Sequence, residues 1–417
     1  MMGLDIHHSR TLSRAFNMLM PVYLQNAAID NSAGHEKTAS RVSFLDGLRG
    51  YASLIVFISH FLEPFEPAKR FGYGFGEEHN SFLQLPIIRV FYSGVPMVAI
   101  FFIISGYALS YKPFMLVHHG PASQLSDTLA SAIFRRDSLE YATLPGVIEP
   151  RPRRFVNARD QFTDWCRFVV DELTNPWDWR VADYVYDSHL WTIPIEFRAS
   201  LVLFLVLTCI SRIRRLYRLA ISAALGLYCM WCGKWHMALF MCGMLFADLA
   251  AMNRAPLVTS NRYWCLVISL VPLILGLLLL SFPIRNGHKT PGYVLLSRIT
   301  LNYNIWHTFG AILVFWAFEN SLILRRAFDN SFARYLGKIS YALYIVHGPI
   351  LHSLGYGITS YICGLGENLS FSNYSGLFLG FLLVAPIVFW WADIFERLVD
   401  QQSVKLARWM YMKVRIE

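Results

Sequence analysis

The stretch VSFLDGLRGYASLIVFISHFLEPF, residues 42–65, is the part of the sequence that decides the fold class. Its length and its apolar second half predict a membrane-spanning helix. The same stretch nevertheless carries Asp46, Arg49 and His60. An ionisable side chain at the centre of a span costs at least about 2.5 kcal/mol, so such residues are rare there and usually mark function. The stretch therefore predicts a membrane helix that contributes to a functional site.

The spacing of these residues places them on one side of the helix. Arg49 and His60 are eleven positions apart, which at 100° per residue points both side chains the same way. The helical rise separates them by about 16 Å, and Ser53 lies between them on the same stripe. Such a stripe can face the inside of a helix bundle. Alternatively, Asp46 and Arg49 form an i,i+3 ion pair that anchors the helix end, and His60 is a satisfied residue at the membrane interface.

The stretch is also similar to a known family. Arg41-Val-Ser-Phe-Leu-Asp-Gly-Leu-Arg-Gly50, followed by an apolar run that ends in Ile58-Ser-His60, resembles the opening helix of the acyltransferase-3 family. Its members are integral-membrane O-acyltransferases, and their signature is an Arg separated by ten residues from a His, here Arg49 and His60. The resemblance covers about residues 41–136 and 187–396 and is closest to the fungal branch. Its further segments are Phe101-Phe-Ile-Ile-Ser-Gly-Tyr107, Asp187-Ser-His-Leu-Trp-Thr-Ile-Pro-Ile-Glu-Phe-Arg198 and Gly337-Lys-Ile-Ser-Tyr-Ala-Leu-Tyr-Ile-Val-His-Gly-Pro349.

Composition leads to the same fold class. Of the 417 residues, 55% are hydrophobic and only 16% are charged, and the mean hydropathy is +0.39. The hydrophobic residues are concentrated in blocks of spanning length, which predicts an all-α, polytopic transmembrane helical bundle. The net charge of +9 is explained by Lys and Arg in cytoplasmic loops, so we expect the lipid bilayer as a partner and no nucleic acid.

The apolar blocks divide the chain into three parts. We expect a polar N-terminal tail at residues 1–40, a membrane domain at 41–396 and a basic C-terminal tail at 397–417. Both tails are basic, so both are predicted to be cytoplasmic, which requires an even number of crossings. Nine spans are visible, and a tenth is needed, so we expect about nine to ten helices. The nine lie at or near residues 42–65, 94–111, 200–207, 219–230, 237–250, 265–281, 305–318, 341–354 and 377–392.

The missing crossing falls in the polar interval 137–186. This interval has too many charges to cross the membrane as a lipid-facing helix, and we expect at most an amphipathic helix around Phe162–Leu173. The family has a helix here, and Phe134-Arg-Arg136 looks like its start, but the sequence then departs from the family. We therefore expect a poorly packed interval beside a family-like bundle, and weakened or absent activity.

The chemistry of acyl transfer assigns roles to the ionisable residues. A hydroxyl that attacks a thioester must lose its proton, and neutral imidazole is the usual base, so His60 is the candidate general base. Glu196 begins a span and could orient His60 or bind the acceptor; alternatively it pairs with Arg198. The forked, permanently charged Arg49 suits a phosphate or a carbonyl oxygen, although an ion pair with Asp46 also explains it.

Other candidates belong to substrate or donor binding. Arg135 and Arg136 could bind the phosphates of coenzyme A, although basic pairs beside spans usually determine topology. His189 and Trp191 precede Glu196, and the resemblance implies that they line the pocket. His347 could do the same, or be a satisfied core residue. The remaining candidates are Asp46 and Ser53 on the first helix.

The sequence predicts no bound cofactor and no metal. Cys229 and Cys232 have the spacing of zinc ligands, but the chain has no second pair and their neighbours are apolar. The resemblance implies an acyl-CoA, with acetyl-CoA expected, as co-substrate and a hydroxyl-bearing small molecule or carbohydrate as acceptor.

The predicted function is therefore that of a membrane O-acyltransferase in the endoplasmic reticulum or plasma membrane. One alternative is a proton-coupled transporter in which His60, Arg49 and Glu196 form a relay. Transporters usually contain internal repeats, and none is visible in this sequence. The other alternative is an inactive acyltransferase relative that lacks one helix.

Overall fold

The structure, a computed structural model, describes residues 43–74, 76, 80–119, 155, 157–173, 175, 188–252, 262–364 and 374–414. These residues form helices and no strands, which confirms the all-α class. The N-terminal tail, Arg135, Arg136 and most of the interval 137–186 lie outside the described residues.

Fourteen α-helices occur in the described part of the chain. They are α1 (Ser43–Leu62), α2 (Gly94–His119), α3 (Ala158–Arg167), α4 (Thr192–Ile210), α5 (Arg215–Trp231), α6 (Trp235–Met252), α7 (Arg262–Leu280), α8 (Val294–Ile299), α9 (Tyr303–Asn320), α10 (Leu322–Ala327), α11 (Ser331–Ile350), α12 (Tyr356–Ile362), α13 (Tyr374–Phe395) and α14 (Gln401–Val414). Single π-helical turns follow α3, α11 and α13, at Phe168–Leu173, Leu351–Gly355 and Glu396–Asp400. Short 3₁₀ turns occur at Pro67–Arg70, Phe82–Gln84, Ile88–Tyr92, Ser188–Trp191 and Gly287–Lys289.

All nine predicted spans contain an α-helix in the structure. Three helical segments of the described residues are both long and apolar enough to cross a membrane, namely Gly94–Tyr111, His189–Ile210 and Tyr374–Val414. Two shorter apolar helices are Trp235–Ala251 and Val267–Leu280. The helices are thus where the apolar blocks predict them, while the number of nine to ten spans stays a prediction.

Glycines allow the helices to cross closely at three points. A Cβ atom at Gly337 on α11 would lie 2.4 Å from the main-chain oxygen of Asp46 on α1. One at Gly106 on α2 would lie 2.4 Å from the main-chain oxygen of Phe240 on α6. A Cβ atom at Gly276 on α7 would lie 2.9 Å from the main-chain oxygen of Gly310 on α9. Without a driving force from water, membrane helices associate through such close backbone packing, so these crossings fix the positions of the helices.

Buried ion pairs link helices away from the site. Arg218 of α5 donates two hydrogen bonds, of 2.6 and 2.5 Å, to Asp248 of α6, and its guanidinium lies 5.0 Å from the ring of Phe114. Arg325 donates to Glu319 at 2.9 Å. Both pairs are buried and hydrogen-bonded, which is the form in which charges are tolerated inside a protein.

Within the described part of the interval 137–186, the π turn Phe168–Leu173 lies against α4. A helix does form around the predicted range Phe162–Leu173, as α3 and the π turn after it. No residue of α3 is buried, and Phe162 is 61% exposed, so the expected common apolar face does not pack as one surface. Phe168 in the π turn is buried against Leu190, and Arg198 donates to the Asn175 carbonyl at 3.1 Å. The expectation of poor packing therefore applies to α3 but not to this turn.

Candidate active site

The helices α1 and α11 run parallel and bring two histidines to the same level. Gly50 of α1 packs against Gly337 of α11, and Ser53 donates to the Ser340 carbonyl at 2.8 Å, so residue numbers rise together along the contact. His60 and His347 each follow their crossing glycine by ten residues, which is about 15 Å of helix. The two rings are stacked with their centroids 5.4 Å apart.

A third histidine comes from the turn before α4. The ring centroid of His189 lies 3.8 Å from that of His60 and 5.0 Å from that of His347. His189 and His347 are almost completely buried, and His60 is partly buried. One nitrogen atom of each of the three rings lies within 4.8 Å of the others. We call these three residues the histidine cluster.

Hydrogen bonds to the main chain hold the cluster in place. Tyr344 donates to the His189 carbonyl at 2.5 Å, and its hydroxyl also lies 2.6 Å from that of Thr192. Tyr356 donates to the His60 carbonyl at 3.0 Å. Nδ1 of His347 lies 2.9 Å from the Leu343 carbonyl. A carbonyl only accepts, so Nδ1 carries the proton, and Nε2 of the neutral ring has the lone pair.

A cavity of about 90 Å³ opens beside His60. Its walls come from α1, from the loop between α1 and α2, from the start of α2 and from Trp191 and Tyr344. A cavity of this volume has room for several water molecules or for the reacting part of a ligand.

Three charges stand at this cavity. Glu63 forms ion pairs of 2.5 Å with both Lys69 and Arg70, and all three residues contribute to the lining. Burial raises the pKa of the Glu63 carboxyl, but the neighbouring Lys69 and Arg70 more than offset this and hold the pKa below its ordinary value. Lys69 also donates to the carbonyl of Ser59, next to His60. The wall beside the candidate base is thus polar and anchored.

Arg89 holds the loop between α1 and α2, which carries Lys69 and Arg70, through hydrogen bonds to main-chain carbonyls. It is 1% exposed and donates to the Lys69 carbonyl and to the Ser281 carbonyl, both at 3.1 Å. Burial lowers the pKa of this guanidinium, although the side chain stays charged at any physiological pH. Its two bonds connect the cavity loop to the end of α7.

The predicted stripe on α1 faces α11. Arg49 donates to the Ser340 hydroxyl at 2.9 Å and to the Gly337 carbonyl at 3.3 Å. It also forms the i,i+3 pair with Asp46 at 3.1 Å, so the two interpretations of this pair are compatible. The side chains of Arg49 and Asp46 are 42% and 51% exposed, which leaves the Arg49 end of the stripe accessible.

Glu196 lies in the bundle between Arg49 and α2. Its carboxylate accepts a hydrogen bond of 2.5 Å from the Ser105 hydroxyl and interacts electrostatically with Arg49. It follows His189 by seven residues, which is about 10 Å of helix. The contacts therefore connect Glu196 to the Arg49 end of the stripe, while its predicted pairing with His60 stays a prediction.

The structure brings together candidates that the sequence could only name separately. His60, His189 and His347 form one cluster, and Trp191 lines the same cavity. Asp46, Arg49 and Ser53 lie on the α1–α11 contact. Sequence reasoning missed the lining residues Glu63, Lys69, Arg70, Tyr92 and Tyr344. Lys69 and Arg70 form a basic pair in a loop that the charge pattern predicts on the non-cytoplasmic side of the membrane. Basic residues are less common on that side, and this was the signal that could have indicated them.

Comparison with known proteins gives a family match and several relatives. The acyltransferase domain of the acyltransferase-3 family matches residues 161–397, which contain His189, Glu196 and His347 but not His60. The chain is 30% identical to the O-acetyltransferase PaAT-1 of Phomopsis amygdali, over 91% of this chain and 86% of the relative. It is 26% identical to the acyltransferase R4 of a Phoma species, over 91% and 97% of the two chains. It is 24% identical to the acyltransferase clz18 of Cochliobolus lunatus, over 90% and 96%.

No solved structure matches this chain. The alignments with the three relatives run over 446, 475 and 460 positions, and each is longer than the 417 residues of the whole chain. Each relative therefore has residues within the aligned region that have no counterpart in this chain.

Proposed function

This chain belongs to the fungal branch of the acyltransferase-3 family and is an enzyme that transfers acyl groups other than aminoacyl groups, and from this premise we propose its reaction. The enzyme moves an acetyl group from acetyl-CoA to a hydroxyl of a small molecule or carbohydrate. The name of the relative PaAT-1, an O-acetyltransferase, supports the acetyl group and the hydroxyl acceptor. The chain is an integral membrane protein, and we place both termini in the cytoplasm because both tails are basic.

The observation that carries the proposal is the position of the His60 imidazole at the wall of the cavity. The acceptor hydroxyl oxygen attacks the thioester carbonyl carbon while His60 takes the hydroxyl proton. The new C–O bond forms, the C–S bond breaks, and the protonated imidazole gives the proton to the departing thiolate of coenzyme A. General base catalysis of this kind contributes about 10²–10⁴-fold to the rate.

The opposite end of the polar stripe suits the donor phosphates. Arg49 stands about 16 Å from His60 along α1, and its guanidinium is 42% exposed. Coenzyme A separates its thioester from its phosphates by a long flexible arm, so the two residues can hold the two ends of one donor. Arg135 and Arg136 would add positive charge for the same phosphates, and Glu196 would orient Arg49 through its charge.

The size of the cavity favours a short acyl group. A volume of about 90 Å³ has room for an acetyl group and the reacting hydroxyl. The remainder of the acceptor would lie at the charged mouth formed by Glu63, Lys69 and Arg70, whose donors and acceptors match the hydroxyls of a polar molecule.

Purified protein incubated with labelled acetyl-CoA and a panel of hydroxyl acceptors tests the reaction. We expect labelled product from the wild type, a loss of about 10²–10⁴-fold in His60→Gln, and no change in His288→Gln, which alters an exposed histidine. Undiminished transfer by His60→Gln contradicts the assignment of the base. Solute flux into proteoliposomes without consumption of acetyl-CoA would identify a transporter instead.

A second candidate is a weakened transferase, and the lengths of the alignments favour it. The relatives have residues that this chain lacks, and the sequence departs from the family after Arg136. A chimera that carries a relative's helix after Arg136 should then transfer acetyl faster than the chain as it stands. Equal, robust rates would show that the departure is harmless.

A further inference from the structure

We propose that the histidine cluster binds a divalent transition metal such as Zn²⁺, and that the bound metal inhibits acyl transfer. The cluster consists of His60, His189 and His347, which come from α1, from the turn before α4 and from α11. The proposal that the cluster binds a metal rests on its geometry alone. The inhibition rests on the proposed function, in which His60 is the base.

The distances lie near those of a three-histidine site. Zinc binds imidazole nitrogen at about 2.0–2.1 Å, so two ligands of one ion are at most about 4.2 Å apart. The nitrogens of the cluster lie within 4.8 Å of one another, which is close to this limit. Closing the widest pair by about 1 Å requires only small rotations of the side chains, because the backbones are held at His60 and His189 by tyrosine hydroxyls.

The donor set selects the kind of metal. Imidazole suits zinc, copper, nickel and iron, whereas Mg²⁺ and Ca²⁺ require oxygen ligands, which the cluster does not offer. His347 is also prepared as a ligand, since its Nδ1 proton is directed to the Leu343 carbonyl. Such a bond to the second nitrogen fixes the tautomer and orients the ring in most metal-binding histidines.

The surroundings leave room for a fourth ligand. Three protein ligands leave one position of a tetrahedral ion open, and the cavity at His60 can supply water or a substrate hydroxyl there. Lys69 and Arg70 line the same cavity, and their charges oppose a cation. The Glu63 carboxylate lies 2.5 Å from both and offsets one of the two charges.

Metal binding and base catalysis exclude each other at His60. A nitrogen lone pair that is bonded to a metal cannot accept the proton of a hydroxyl. The chain free of metal is therefore the active form, and an occupied cluster holds the enzyme inactive until the metal is removed.

Binding of Co²⁺ to the purified, chelator-treated protein tests the site without any measurement of activity. We expect visible absorption bands of a four-coordinate Co²⁺ ion at one equivalent, and loss of the bands on addition of Zn²⁺. His189→Gln and His347→Gln should each weaken Co²⁺ binding by at least about tenfold, and the exposed control His288→Gln should not. Where one cluster variant does not fold, the other decides, because a three-ligand site needs both residues.

Acetyl transfer measured in parallel separates the two claims. We expect transfer by chelator-treated protein, inhibition by Zn²⁺ in the concentration range that displaces Co²⁺, and recovery on chelation. Protein that transfers acetyl but binds no Co²⁺ overturns the site and leaves the proposed function intact. Protein that binds Co²⁺ and never transfers acetyl leaves the site intact and overturns the proposed function. Activity that requires the metal overturns the inhibition.

Discussion

The substitution Gly337→Ala tests whether the crossing of α1 and α11 positions the active site. A Cβ atom at this position would lie 2.4 Å from the main-chain oxygen of Asp46 and 2.6 Å from its carbonyl carbon. Ordinary contact begins at 3.4 Å, and both close atoms are backbone, so α11 must retreat from α1 by about 1 Å.

The expected consequence is a loss of rate with little loss of stability. The shift of α11 moves Tyr344, which lines the cavity, away from His60, and a misplacement of 1 Å can cost about 10²-fold in activity. Overpacking costs about 1–3 kcal/mol of stability, while alanine is about 1 kcal/mol better than glycine inside a helix. The net destabilisation is therefore about 0–2 kcal/mol, and the protein should still fold.

The assay compares kcat for acetyl transfer and the thermal unfolding of the purified protein. Gly226→Ala in α5 is the matched control, because the nearest atom to its added Cβ would be 3.7 Å away. This control should keep full activity and gain up to about 1 kcal/mol of stability. A Gly337→Ala enzyme with the rate and stability of the wild type would refute the argument that this contact sets the register of the histidines.

Further predictions concern charges and topology. Glu63→Gln removes the one carboxylate that pairs with both Lys69 and Arg70 and should cost about 3–5 kcal/mol, measured by chemical unfolding in detergent; a change below about 1 kcal/mol would contradict this. The pKa of Glu63 is lowered in the folded protein, so the stabilisation that its ionised carboxylate provides is complete above about pH 4.3 and is lost as the pH falls through the pKa of the folded state. At low pH the wild type should therefore approach Glu63→Gln in thermal stability. Arg218→Met should cost about 3–5 kcal/mol because it strands the buried Asp248, whereas Arg334→Met, which removes a 55%-exposed side chain, should cost less than about 1 kcal/mol; equal costs would show that burial of the pair is unimportant. Tags at the two termini should be equally protected from protease in sealed vesicles, and protection of only one would refute the common cytoplasmic side.

The sequence by itself determined the features that depend on local periodicity. The apolar blocks predicted the helices, because the backbone must satisfy its own hydrogen bonds wherever water is excluded. The spacing of Arg49, Ser53 and His60 predicted one face, and all three side chains contact α11. The family resemblance supplied the class of reaction, which the comparisons support.

The tertiary structure alone decided which distant residues meet. His60, His189 and His347 are more than 100 positions apart in sequence, and nothing in their spacing predicted a cluster or a metal site. Only the tertiary structure placed Glu196 beside Ser105 and within the electrostatic reach of Arg49, and its convergence on His60 stays a prediction. The distance between two crossing helices, and the point along each helix at which they cross, depend on a few glycine contacts such as the one at Gly337. Periodicity within a single helix carries no information about either.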